Sequence, residues 1–146
     1  VHGGDRDEAP DDRGAAQVIF GIGIDVVRLD RMERAYRRFG QRFVDRLLLP
    51  REMSAFQTNK RPARFLAMRF AAKEAVVKAM GTGFAHGMWI RDVGVAANAW
   101  GKPEVVWSER GDRLRRTMGI GDAHVTLTDE AGLIVAVAVL LKSQAS

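Results

Sequence analysis

Glu74 and Lys78 stand four residues apart in the run ARFLAMRFAAKEAVVKAM, and Gly81, Thr82 and Gly83 follow directly. On a helix that spacing puts both charges on one face with Ala67, Phe70 and Ala71, a stripe otherwise small or apolar. Taken alone, the two read as a surface ion pair in the favourable acid-before-base order, worth about 0.3–0.5 kcal/mol. The glycines beyond admit a second reading, because their backbone amides can approach a phosphate without side-chain obstruction. A carboxylate, a lysine and such a loop suit Mg²⁺ with a pyrophosphate, since that ion is usually held by one or two carboxylates plus phosphate oxygens and water. A second carboxylate, Asp25, sits in IFGIGIDVV. Read as a strand, this run places Phe20, Ile22, Ile24 and Val26 on one face, expected to be a core face. Ile19, Gly21, Gly23, Asp25 and Val27 share the other. Glycine inside a strand marks a bulge or the close approach of a ligand or another backbone, so space is kept beside Asp25.

The elements that position these residues follow an αβ alternation. Val18 to Val27 reads as a strand. Leu29, Met32, Tyr36, Phe39, Phe43 and Leu47 recur at steps of three and four, an amphipathic helix interrupted near Gly40. Pro50 opens a short helix through about Gln57, and TNKRP is a turn. From Pro62, a favourable first-turn residue, strong helix formers run to Gly81, which supplies a C-terminal stop. Beyond GTGFAHG come strand-like segments at Asp92 to Ala97, Pro103 to Trp107, His124 to Thr128 and Leu133 to Leu141. A basic helix, Ser108 to Met118, lies between the second and third. Glycine-containing turns separate several of these, as in an antiparallel α+β sheet.

Length and composition bound the rest. With 146 residues, 47% hydrophobic and 28% charged, the chain suits one domain with a sizeable core. It has no cysteine, which excludes a disulfide framework and a thiolate metal site. No apolar run approaches the roughly 18 residues of a membrane span, and the start shows no basic region followed by an apolar one. A cytoplasmic location is expected. Residues 1–17 hold five acids against two arginines and are expected to be a disordered acidic leader; their net charge of −3 leaves +8 for Val18 to Ser146, the expected single domain. That basic body suits a polyanionic partner. A nucleic-acid-binding domain accounts for the pI near 10.2 as well, and persistence of binding at physiological salt separates it from an enzyme that meets a polyphosphate and an acidic protein. The glycine runs complete neither G-x-G-x-x-G nor G-x-x-x-x-G-K-[ST], and His2, His86 and His124 show no zinc spacing.

Taken in order, GIGIDVV, RFLAMRFAAKEAVVKAMGTGF, GKPEV and HVTLTDE resemble the holo-acyl-carrier-protein synthase family of phosphopantetheinyl transferases. The resemblance covers about Val18 to Lys142, and its most specific part is RFAAKEAVVKAMGTG. It implies transfer of 4′-phosphopantetheine from coenzyme A to a serine of apo-acyl carrier protein, with release of 3′,5′-ADP, in the setting of fatty acid biosynthesis. It implies an α+β fold of the phosphopantetheinyl transferase type, a small antiparallel sheet packed with a long central helix, and a homotrimer with active sites between subunits. A non-catalytic coenzyme A-binding subunit is the alternative, and Mg²⁺-dependent turnover separates the two.

The same resemblance distributes roles. Asp25 and Glu74 match the family's two metal-binding acids, Glu74 doubling as proton acceptor, and Lys78 matches the lysine that stabilises the departing phosphate oxygen. Arg69, Lys73, Gly81, Thr82 and Gly83 fall where coenzyme A phosphates are met. Lys102 and Pro103 occupy the loop near the adenine, and His124 matches the histidine that meets the 3′-phosphate. Trp100 stands where asparagine is common in the family, and Asp129 where a second histidine often stands. On the helix after Asp25, the apolar stripe leaves Arg31, Arg34 and Arg38 on another face, with Arg42 and Arg46 beyond the break. Since the carrier is acidic, these arginines are the expected partner surface.

Overall fold

The computed structural model describes residues 18–144, so the acidic leader at 1–17 lies outside the described residues. Strand β1 (Ile19–Arg28) leads into helices α1 (Leu29–Phe39), α2 (Gln41–Leu47) and α3 (Pro50–Gln57), then the long helix α4 (Pro62–Met80). A 3-10 turn at Ile90–Asp92 opens β2 (Val93–Ala97), which is followed by β3 (Pro103–Trp107), α5 (Glu109–Thr117), β4 (Ile120–Glu130) and β5 (Leu133–Lys142). Gly40 breaks the first amphipathic helix with φ 54°, and Gly81 ends α4 in the left-handed region at φ 80°, where a side chain would be strained.

Two antiparallel sheets result, one of order β1-β5-β4 and one pairing β2 with β3. Helix α4 lies across the first. Its contact face is built from Gly23, Val27, Ile134, Ala136, Ala138 and Leu140, all buried, with Gly23 opposite Ala138 and Val27 opposite Ile134 in register. On α4 itself Ala71, Ala72, Ala75, Val76 and Val77 are fully buried. Small residues on both sides let helix and sheet approach closely.

The faces of β1 are therefore the reverse of the sequence expectation. Ile22, Ile24 and Val26, expected in the core, are 63%, 56% and 56% exposed, while the glycine face is the one covered. A Cβ at Gly21 would stand 1.9 Å from the Ala79 carbonyl oxygen and one at Gly23 2.0 Å from that of Ala75. The glycines thus make room for the backbone of α4, not for a ligand. Phe39, placed in the buried stripe by its spacing, is 50% exposed at the end of α1, because the turn at Gly40 carries the chain away before that position is covered.

Candidate active site

Packing α4 on β1 brings the charged residues of the two elements together. The Lys78 ammonium donates to Asp25 Oδ1 at 2.9 Å and to the Ile24 carbonyl at 3.2 Å. Lys78 is thus tied across to the strand, not along its own helix to Glu74. Asp25 and Glu74 both line a cleft of about 600 Å³ whose other walls include Arg31, Met32, Phe43 and Phe70. Burial raises the Glu74 carboxyl above its ordinary value and the Asp25 charge adds to this, with Lys78 partly opposing. Two carboxylates held at one cleft with a lysine beside them favour a cation or a proton at that spot.

Among the described residues there is no group of three or more His, Cys, Asp or Glu placed to hold a metal. A carboxylate pair fits Mg²⁺, which draws its remaining ligands from phosphate oxygens and water.

The Gly81–Gly83 loop departs from its expected role. Gly81 N–H donates to the Lys78 carbonyl, and the Thr82 and Gly83 N–H groups donate to that of Val77, at 3.0, 3.3 and 3.2 Å. These amides close the C-terminus of α4 and are not presented to a phosphate. Thr82 Oγ1 is buried without a hydrogen-bond partner and remains as the loop's side-chain donor.

Lys73 is likewise removed from the expected phosphate contacts. It is fully buried, donating to Glu52 Oε1 at 2.7 Å and to the Val93 carbonyl at 2.6 Å. Helical geometry explains this, since Lys73 and Glu74 are neighbours in sequence and point about 100° apart. Arg69, one turn earlier, also turns inward: its Nε is 3.3 Å from Glu52 Oε2 and its guanidinium lies over the Phe65 ring at 4.4 Å. Glu52 further accepts the Leu49 and Val95 N–H groups. Its role as the buried counter-ion has no signal in the sequence, because an acid in the first turn of a short helix ordinarily faces water.

Lys102, Pro103 and His124 gather at a second cleft, of about 450 Å³, between β3 and β4. Its lining adds Trp107 and Arg115, which the sequence reading did not single out; a basic residue on α5 looks like any solvated helix charge until the helix is placed. Arg31 lines the carboxylate cleft, whereas Arg42 and Arg46 flank a shallow pocket with Phe39 and Phe43. Arg34 pairs with Asp30 at 3.5 Å, and Arg38 lies over the Phe39 ring at 5.2 Å. All five arginines are exposed.

The model of the 4′-phosphopantetheinyl transferase superfamily matches residues 21–137. The holo-[acyl-carrier-protein] synthase of Vibrio parahaemolyticus is 39% identical over 122 residues, covering 84% of this chain and 97% of that protein. The crystal structure of the Neisseria meningitidis holo-[acyl-carrier-protein] synthase superposes with a TM-score of 0.80 at 38% identity, covering 84% of this chain and 98% of the other. That of the Helicobacter pylori enzyme, solved in complex with coenzyme A, does so with a TM-score of 0.71 at 27% identity over 82% and 98%. A match of this extent, on a fold that brings Asp25, Glu74 and Lys78 together, means that the chain belongs to the 4′-phosphopantetheinyl transferase superfamily, in its holo-[acyl-carrier-protein] synthase family.

Proposed function

We propose that the chain transfers 4′-phosphopantetheine from coenzyme A to a serine of apo-acyl carrier protein, and that Asp25 and Glu74 hold the Mg²⁺ this needs. The observation that carries the reading is that Asp25 and Glu74 line one cleft while the Lys78 ammonium donates to Asp25. The carrier serine Oγ attacks the phosphorus bearing pantetheine, and the bond from that phosphorus to the bridging oxygen breaks. 3′,5′-ADP leaves. Glu74 takes the serine proton, and the Lys78 ammonium stabilises the charge on the departing phosphate oxygen. Bound Mg²⁺ supplies charge neutralisation and orientation of the pyrophosphate. The test is incubation with coenzyme A, Mg²⁺ and apo-acyl carrier protein, followed by mass spectrometry. A phosphopantetheine adduct on the carrier serine that disappears on chelation supports the reading, and an unmodified carrier overturns it.

A homotrimer is part of the same proposal. The outer face of β1 presents Ile22, Ile24 and Val26, which pair with Val139, Val137 and Val135 of β5 to form one apolar surface. Thr126 and His124 continue it on β4, opposite Val137 and Val139. A second copy seated there lies beside the His124 cleft of the first. The carboxylate cleft and the His124 cleft are different patches of one chain, so contact between them is head-to-tail, the interface type that makes a ring when its rotation closes, here proposed to close at three copies. Mixing inactive Asp25→Asn chains with inactive His124→Ala chains restores activity if the site is shared. No recovery after subunit exchange, or a monomer active at assay concentration by light scattering, counts against it.

A further inference from the structure

Trp100 is 94% exposed, and it sits on a turn held unusually firmly for a loop tip. Asn98 Oδ1 accepts the backbone N–H groups of Trp100 and Lys102 at 2.9 and 3.0 Å, and its Nδ2 donates to Glu104 at 3.1 Å. Asn98 N–H also donates to the Lys102 carbonyl, and the Asn98 carbonyl accepts from Gly101. The backbone under the indole is thereby fixed before any ligand arrives, which lowers the ordering cost of using that indole in binding. From this turn the chain enters the second cleft directly, through Lys102 and Pro103.

The chemistry of that cleft selects its occupant. Lys102, Arg115 and His124 supply donors and positive charge suited to phosphate. The walls are the edges of β3 and β4, which belong to different sheets and present backbone groups suited to the polar edge of a heterocycle. What a nucleotide needs besides these is an aromatic face for its base. Trp107 in the lining is half-buried against the core with the Arg115 guanidinium over its ring at 5.8 Å, whereas Trp100, two residues before Lys102 and outside the lining itself, presents an open indole next to it in the chain. We propose that Trp100 stacks on the purine of coenzyme A and sets the affinity for its nucleotide half. This rests on the function proposed above and adds a residue to it.

The experiment measures calorimetric binding of 3′,5′-ADP to the wild-type protein, Trp100→Phe and Trp100→Ala, together with steady-state transfer. Being on the surface, Trp100 can be replaced without loss of fold, which thermal melting checks. The alanine variant is expected to bind 3′,5′-ADP roughly tenfold more weakly, the size of one lost base–aromatic stack. The phenylalanine variant retains most of the affinity. In the transfer assay KM for coenzyme A rises while kcat and KM for the carrier stay put. If the wild type fails to bind 3′,5′-ADP, the proposed function falls and this inference with it. If it binds and the alanine variant binds equally well, this inference alone is overturned. A rise confined to the carrier's KM, or dissociation of the assembly, places the indole against protein and likewise overturns it.

Discussion

Lys73 and Lys78 lie five residues apart on one helix, and each donates to a carboxylate from another element, at 2.7 Å to Glu52 and 2.9 Å to Asp25. The Lys73 side chain is 0% exposed and that of Lys78 49%. The chemistry is the same and the surroundings are not. Around Glu52, two backbone amides, Lys73 and Arg69 leave little room for anything else. Around Asp25, the second carboxylate is Glu74 and the space between opens to a cleft. A closed cluster ties α3, α4 and β2 together; an open one is available to substrate. Residue type alone therefore does not mark a site, and the unfilled volume beside it does.

The largest expected effect falls on the closed cluster. Lys73→Met leaves the buried Glu52 with two backbone amides and Arg69 as its one remaining cation, and removing one partner of a buried pair costs about 3–5 kcal/mol. That is a large part of the stability of an ordinary domain. Urea denaturation is expected to show this loss, with turnover per folded molecule close to normal. The double variant Glu52→Gln, Lys73→Met is expected to recover only part of it, since the Arg69 guanidinium then loses its carboxylate. A Lys73→Met protein as stable as the wild type would break the contrast between the lysines.

At the open cluster the order of effects reverses. Lys78→Ala is expected to lower kcat by about two orders of magnitude, the size of one lost transition-state contact, with little change in melting temperature. Asp25→Asn and Glu74→Gln preserve size while removing charge, so most transfer is lost and binding defects are partly rescued at high Mg²⁺. Near-normal turnover in either acid variant would remove the metal role from that residue. A change in Lys78→Ala confined to stability would make both lysines structural.

The contrast also explains what the sequence could and could not disclose. Helix α4 was readable at both ends, because Pro62 and Gly81 act locally on the backbone whatever the tertiary context. The two faces of β1 were readable as a pair, but periodicity does not say which is covered. The apolar face looked like core, whereas α4 rests on the face made bare by Gly21 and Gly23. Lys73 and Glu74 look alike on a helical pattern, and what separates them is Glu52, 21 residues away from Lys73. The gathering of Lys102, Pro103 and His124 at one cleft spans more than 20 positions and was reachable only by resemblance to a family. Arg115 and Trp107, outside the quoted motifs, emerged only with the fold.

A smaller effect belongs to the arginines of α1. Arg31 lines the carboxylate cleft, Arg38 is exposed over Phe39, and both carry charge an acidic carrier can meet on approach. Replacing both by glutamate is expected to raise KM for the carrier severalfold and to flatten its salt dependence, with coenzyme A binding nearly unchanged, because steering acts on encounter. Equal loss of coenzyme A affinity would assign these arginines to the nucleotide site or to the fold and would remove the distinction between the carrier's entrance and the cofactor's cleft.

The smallest effect sharpens the comparison from its exposed end. Arg64, in the first turn of α4, meets Asp129 on β4 at 2.6 Å, with side chains 30% and 37% exposed. The Arg64 hydrogen bond holds the Asp129 carboxyl below its ordinary value, against a smaller desolvation effect. A depressed acid stabilises the fold fully above its unfolded-state pKa, near 3.9, and loses that contribution as pH falls through the folded value. Solvent screening keeps the contribution small. Asp129→Asn is thus expected to melt slightly below the wild type at pH 7, by far less than Lys73→Met, and the two curves are expected to converge as the pH drops below the ordinary carboxylate range. Added salt is expected to narrow the gap at pH 7 as well. A gap that persists undiminished in acid would show that Asp129 acts through packing and not through its charge, and a gap as large as that of Lys73→Met would mean that burial does not rank the ion pairs of this helix.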